Sequence, residues 1–107
     1  MSVAREESRS GSEPRNWTFL TNHAHVLLVI ARDRNARVRD IADSVGITER
    51  AAQAIVTDLE AGGYISRARV GRRNTYTVNP AGQLRHRVEA GRSIGDLLAL
   101  FTSETTP

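Results

Sequence analysis

The sequence predicts a mainly α fold that carries one small β-hairpin. Two stretches carry that prediction. Over 38–62 the chain reads as two short amphipathic helices joined by a tight turn. Over 64–78 it switches to β-forming residues, interrupted by a glycine and studded with arginine.

In VRDIADSVG, Ile41, Ala42 and Val45 share one face of a short helix, and Gly46 ends it. Ala42 is small enough for a second helix to approach closely, and Ile47 suits the space beneath the turn. Thr48 is an N-cap candidate because its hydroxyl can accept from an unpaired amide of the first turn, and Glu49 has the charge a helix start prefers. In the helix that follows, Ala52, Ile55, Val56 and Leu59 form an apolar stripe, with Gly62 or Gly63 as the C-cap. The other face carries Arg50, Ala51, Gln53, Ala54 and Thr57. Small and polar side chains of this kind let a helix enter a major groove and reach base edges.

The segments YISRARV and TYTV are rich in strand formers, and GRRN between them places Gly71 and Asn74 where a turn wants residues that tolerate positive φ. Arg67, Arg69, Arg72 and Arg73 fall here with no acid between Gly62 and Val78. Such a hairpin can lay guanidinium groups on phosphates or insert one into a minor groove.

Helix, turn, helix and basic hairpin together make the layout of a winged helix-turn-helix. The stretch VRDIADSVGITERAAQAIVTDLEAGGYISRARVGRRNTYTV resembles the winged helix-turn-helix regulators of the MarR and ArsR type, in a small one-domain version, and the likeness extends from Thr21 to Phe101. It implies a module that binds double-stranded DNA. The expected contacts are Thr48, Arg50, Ala51, Gln53, Ala54 and Thr57 on the helix, and Arg67, Arg69, Arg72, Arg73 and Asn74 on the wing. Ala51 and Ala54 stand where many relatives carry hydrogen-bonding side chains, which leaves base readout to Thr48, Arg50 and Gln53. The resemblance is compatible with a small-molecule effector, but no residue identifies one.

Outside this motif, 1–16 is polar, mixed in charge and without periodicity, and is expected to be a disordered arm. The DNA-binding domain is expected over 17–79, C-terminal helices over 80–101 and a frayed tail over 102–107. A first helix is expected from Trp17 or Thr21 to about Ala31, with Leu20, Ala24, Leu27, Leu28 and Ala31 on one face and Phe19, His23, Val26 and Ile30 on another. A helix apolar on two sides is buried on two sides: one against the helix-turn-helix, the other against a terminal helix or a second subunit. The linker that follows holds Arg32, Arg34, Arg37 and Arg39 against Asp33, and its residues 36–38 are candidates for a short strand beside the wing. Pro80 suits the start of a helix AGQLRHRVEA, which Gly91 would end. Ser93 and Asp96 approximate a capping box for a last helix, whose Ile94, Leu97, Leu98 and Phe101 are too apolar for water. The second face of the first helix with these four residues is the expected homodimer interface, in which Phe19, His23, Val26, Ile30, Ile94, Leu97, Leu98 and Phe101 take part.

Composition narrows the rest. A chain of 107 residues builds one modest core. It has no cysteine, which excludes disulfides and thiolate metal sites and agrees with a reducing cytoplasm, the expected location. The longest apolar run, VLLVIA, is too short to cross a bilayer. The net charge of +3 favours a polyanionic partner, and all 15 basic residues are arginine, for which GC-rich codon usage is the commoner cause. His23, His25 and His86 do not make a metal site, since His23 and His25 point apart on a helix, and no metal or cofactor is expected. No nucleophile elbow, phosphate-binding glycine loop or catalytic carboxylate pair occurs, so no enzyme is expected. The expected function is a sequence-specific transcription regulator that acts as a homodimer on an inverted repeat. A winged-helix module for protein–protein contact is the alternative, disfavoured by four wing arginines without an acid among them.

Overall fold

The computed structural model describes residues 17–102; the expected disordered arm, and the expected frayed tail beyond Thr102, lie outside the described residues. The element order is α1 (Asn22–Arg32), α2 (Val38–Val45), α3 (Glu49–Ala61), β1 (Ile65–Val70), β2 (Arg73–Val78) and α4 (Ile94–Thr102).

Helix α1 is the axis of the fold. Val26, Leu27, Leu28 and Ile30 are all buried, and α1 packs against α2, α3, β2 and α4. The core also takes in Ile41 and Ala42 of α2, the whole expected stripe of α3, Ile65 and Tyr76 of the hairpin, and Ile94 and Leu98 of α4. No polar or charged side chain is buried among the described residues. The helix starts later than Trp17, because Thr21 is its N-cap, and Trp17 and Phe19 sit before it as an exposed edge-to-face pair with centroids 5.2 Å apart.

The turn between α2 and α3 forms as the sequence requires. Gly46 takes φ +87°, a conformation that a residue with a Cβ strains to adopt, and the Ile47 amide reaches back to the Ala42 carbonyl at 3.0 Å. Ile47 is half-buried beneath the turn. Thr48 caps α3, with its hydroxyl accepting from the Ala51 amide at 3.0 Å. At the far end Gly62 is the cap and Gly63 (φ +82°) turns the chain. The Gly63 amide donates to Glu60 and the Tyr64 amide to Leu59, the paired bonds of a Schellman motif. That motif sets the direction in which β1 leaves.

The hairpin is antiparallel, with Ile65 opposite Val78 and Val70 opposite Arg73, so its turn holds only Gly71 and Arg72. Gly71 has φ +64°. Asn74, expected in the turn, is instead a strand residue opposite Arg69. The linker does not add a strand at 36–38. Its contact with β2 comes earlier, where the Tyr76 amide donates to the Arg34 carbonyl at 2.9 Å.

The helix expected over AGQLRHRVEA does not form. Residues 79–93 make turns, a short 3₁₀ segment at Arg87–Glu89 and an isolated bridge between Gln83 and Ser93. Two causes act together. Leu84 and Val88 are the only large apolar residues in that stretch, and Val88 is exposed, so a helix there has almost no face to bury. Tyr64 meanwhile fixes the chain: its hydroxyl donates to the Gln83 carbonyl, and its ring lies so close to Gly82 that a Cβ there would fall 2.7 Å from Cδ1.

Helix α4 starts with the expected reciprocal cap. The Asp96 amide donates to the Ser93 hydroxyl at 3.2 Å, and the Ser93 amide donates to the Asp96 carboxylate at 3.4 Å. Ile94 and Leu98 are buried in the core of the same chain, and the Arg32 guanidinium donates to the Phe101 carbonyl. The second side of α1 is therefore closed by α4 of the same chain. Leu98→Ala is expected to cost about 2–5 kcal/mol. Urea denaturation at several protein concentrations checks it, since an in-subunit contact gives the same loss at every concentration. Thr48→Ala should cost about 1 kcal/mol through the lost cap, with Thr48→Ser restoring most of it in the same assay.

Candidate nucleic-acid interface

With Ala52, Ile55, Val56 and Leu59 spent on the core, α3 turns Glu49, Arg50, Gln53, Ala54, Thr57 and Asp58 outward. Ala51 is half-buried, at the edge of that face. Arg50 has no ion pair and Gln53 no side-chain hydrogen bond among the described residues, so both side chains are available to a ligand. The Thr48 hydroxyl is engaged as a cap acceptor and keeps its proton to donate and one lone pair to accept with.

Three acids on α3, Glu49, Asp58 and Glu60, weigh against approach to a polyanion. Two of them have cationic or ionisable partners. Asp58 Oδ2 lies 2.8 Å from His23 Nε2, and Glu60 Oε1 accepts from Arg67 Nη2 at 2.8 Å. Both pairs are partly exposed and add little to stability. His23 thus lies beside α3, and Arg67 is committed to Glu60 at the base of the hairpin instead of standing free. Neither pairing was legible in the sequence. His23 and Asp58 are 35 residues apart, and no local periodicity relates them.

The wing arginines are spread over both faces and the tip of the hairpin. Alternation along the strands puts Arg67 and Arg69 with Asn74, Tyr76 and Val78 on one face, and Arg73 with Thr75 and Thr77 on the other. Arg72 is in the turn. Arg69, Arg72 and Arg73 form no ion pair among the described residues. Arg73 reaches the Asn35 carbonyl at 3.4 Å, and the Thr75 hydroxyl donates to Asn35 Oδ1 at 3.0 Å. These contacts hold the hairpin against the α1–α2 linker. As a result linker arginines come close to the wing, and Arg37 shares a cleft with Arg72, Arg73 and Asn74.

The expected dimer residues separate into two groups. Val26, Ile30, Ile94 and Leu98 are buried inside one subunit and offer no free surface, because α1 and α4 cover each other. His23 faces Asp58. Phe19 is 92% exposed, Phe101 is exposed and Leu97 is half-buried. Trp17 and Leu100, neither of them among the expected interface residues, are exposed apolar residues as well. The remaining histidines have local partners: His25 Nδ1 contacts Asn22, and His86 Nδ1 accepts from the Val88 amide. Among the described residues no helix is long and apolar enough to cross a membrane.

A comparison with curated proteins finds no match. A family model does match: that of the MarR family, over residues 18–73, a span that runs from just before α1 to the first residue of β2 and takes in the turn, α3 and the wing tip. The likeness thus falls on the elements that build the helix-turn-helix and its hairpin, and it favours one of the two families whose layout the sequence resembles. The chain belongs to the MarR family of winged-helix transcription regulators.

Proposed function

We propose that this regulator binds specific duplex sequences as a homodimer, with α3 in the major groove and the wing on the flanking backbone. The observation that carries the reading is the pairing of an outward α3 face of small and polar residues with a hairpin whose Arg69, Arg72 and Arg73 have no acid to neutralise them among the described residues. Arg50 and Gln53 are the side chains with the hydrogen-bonding capacity to read bases, and Thr57 and Ala54 allow close approach. Arg67, tied to Glu60, serves to set the hairpin against α3.

Charge dominates affinity in such a complex. With roughly 6 to 10 phosphate contacts per dimer, affinity should fall by about 10³ to 10⁵ between 50 and 200 mM salt. A titration of a selected duplex at several salt concentrations measures this, and a salt-insensitive complex would overturn it. In the same assay Arg72→Ala should weaken all sequences alike and lower the salt slope. Arg50→Ala or Gln53→Ala should instead remove about 1 to 3 kcal/mol of discrimination at one base pair. An unchanged sequence preference in both would remove α3 from the groove.

Dimerisation is proposed through what the subunit leaves uncovered: Trp17 and Phe19 ahead of α1, and Leu97, Leu100 and Phe101 on α4. A two-fold dimer would set its two α3 helices about 34 Å apart, matched to an inverted repeat. Leu100 is 74% exposed, so Leu100→Glu leaves the subunit core intact and should give a folded monomer with weakened DNA binding. Sedimentation of the wild-type chain at micromolar concentration decides the point, and a wild-type monomer would end both the dimer and the inverted repeat.

A further inference from the structure

Between the start of α2 and the tip of the hairpin lies a cleft of about 270 Å³, lined by Ala36, Arg37, Val38, Arg72, Arg73, Asn74 and Tyr76. Its sides come from different parts of the chain, with Arg37 on the linker side and Arg72 and Arg73 on the wing. Three arginines line it and, among the described residues, no acid does. Like charges gathered around one small space repel each other, and in a chain with 12 acids the local answer would be a carboxylate among them. The two acids nearest in sequence are engaged by backbone amides and do not line the cleft: Asp33 accepts from the Asn35 amide, and Asp40, at the edge beside Arg37, accepts from the Arg37 amide.

The cleft is also held open by bonds that do not use its charge. The Tyr76 amide donates to the Arg34 carbonyl, and the Thr75 hydroxyl donates to Asn35, so linker and β2 keep their separation. Tyr76 is buried and gives the cleft a rigid wall. The backbones that carry these arginines are thus held at a set distance, and planar guanidinium forks match the oxygens of a tetrahedral oxyanion.

We infer that this cleft is a phosphate-binding site, in which Arg37 and the wing-tip arginines close on one phosphate group. As a contact to the DNA backbone it rests on the proposed DNA binding. It then bridges the helix-turn-helix to the wing through a single phosphate and makes Arg37 a binding residue. A phosphate carried by a free small molecule has the same chemistry, and the experiment separates the two sources.

The test compares the wild-type chain with Arg37→Ala, Arg37→Gln, Arg72→Ala and the double variant Arg37→Ala/Arg72→Ala. Arg85→Ala, which removes the same charge outside the cleft, is the control. The Gln variant keeps the stem packed in case Ala disturbs the start of α2. One arm measures duplex affinity against salt. Arg37→Ala and Arg37→Gln should each weaken binding by about 10- to 100-fold per dimer and lower the salt slope by about 2, one for each cleft. The double variant should lose less than the sum of its parts, since both side chains hold one phosphate. The other arm follows the melting temperature with inorganic pyrophosphate added at constant ionic strength. A rise of a few degrees in the wild type that Arg37→Gln abolishes supports the cleft. If it comes with unchanged duplex binding by the Arg37 variants, it assigns the site to a free phosphorylated ligand. Arg37 variants that behave as Arg85→Ala in both arms overturn the inference while leaving the proposed function standing. A wild-type chain that binds no duplex defeats the proposed function, and the pyrophosphate arm still judges the cleft.

Discussion

The burial of α1 on more than one side is the constraint on which the rest of this molecule depends. Val26, Leu27, Leu28 and Ile30 span more than one face of a single helix, and hiding all of them takes α2 and α3, β2 and α4 together. Burying each such side chain contributes about 1.5–3 kcal/mol. None of the covering elements is long: α2 has 8 residues and α4 has 9, too few for a helix to persist alone in water. They are helices because α1 gives them something to cover. The same requirement fixes the pose of α3, whose apolar stripe faces α1 and whose polar face has no choice but to look outward.

The wing is positioned by hydrogen bonds more than by apolar contact. Beyond Ile65, Tyr76 and Val78 the hairpin has little to bury, and Val70 near its tip is exposed. Three devices orient it: the Schellman exit from α3, the Asn79 amide and side chain bonded to Tyr64 and Gly63 at its base, and the linker bonds from Arg34 and Asn35 at its outer edge. Arg67 and Glu60 add a fourth tie between β1 and α3. A basic projection anchored at its base and along one edge delivers its arginines to a limited set of positions.

Charge on α3 shows how local and tertiary information divide. Read along the chain, Glu49, Asp58 and Glu60 set against Arg50 make the helix acidic. In the fold, Asp58 has His23 beside it and Glu60 has Arg67. The uncompensated arginines are displaced toward the hairpin tip and the linker, where Arg37, Arg72 and Arg73 meet. The positive surface of this small protein is therefore a product of packing, although every charge in it was countable beforehand.

The sequence by itself determined the helix-turn-helix, the hairpin and the start of the last helix, because each rests on short-range physics. The stripe of α3, the positive-φ glycine at Gly46, the Thr48 cap and the Ser93–Asp96 cap all involve residues within a few positions of one another, and all formed. What depended on distant partners was decided only by the tertiary structure. The helix expected after Pro80 gave way to Tyr64, which packs against Gly82 and bonds to Gln83, and Asn74 moved from the turn into β2 because the register closed on Gly71 and Arg72 alone. Four residues expected at a subunit interface, Val26, Ile30, Ile94 and Leu98, are covered within one chain. Apolarity says that a side chain must leave water, and periodicity says which neighbours leave with it. Neither says which surface receives them, since that depends on contacts between residues far apart in sequence.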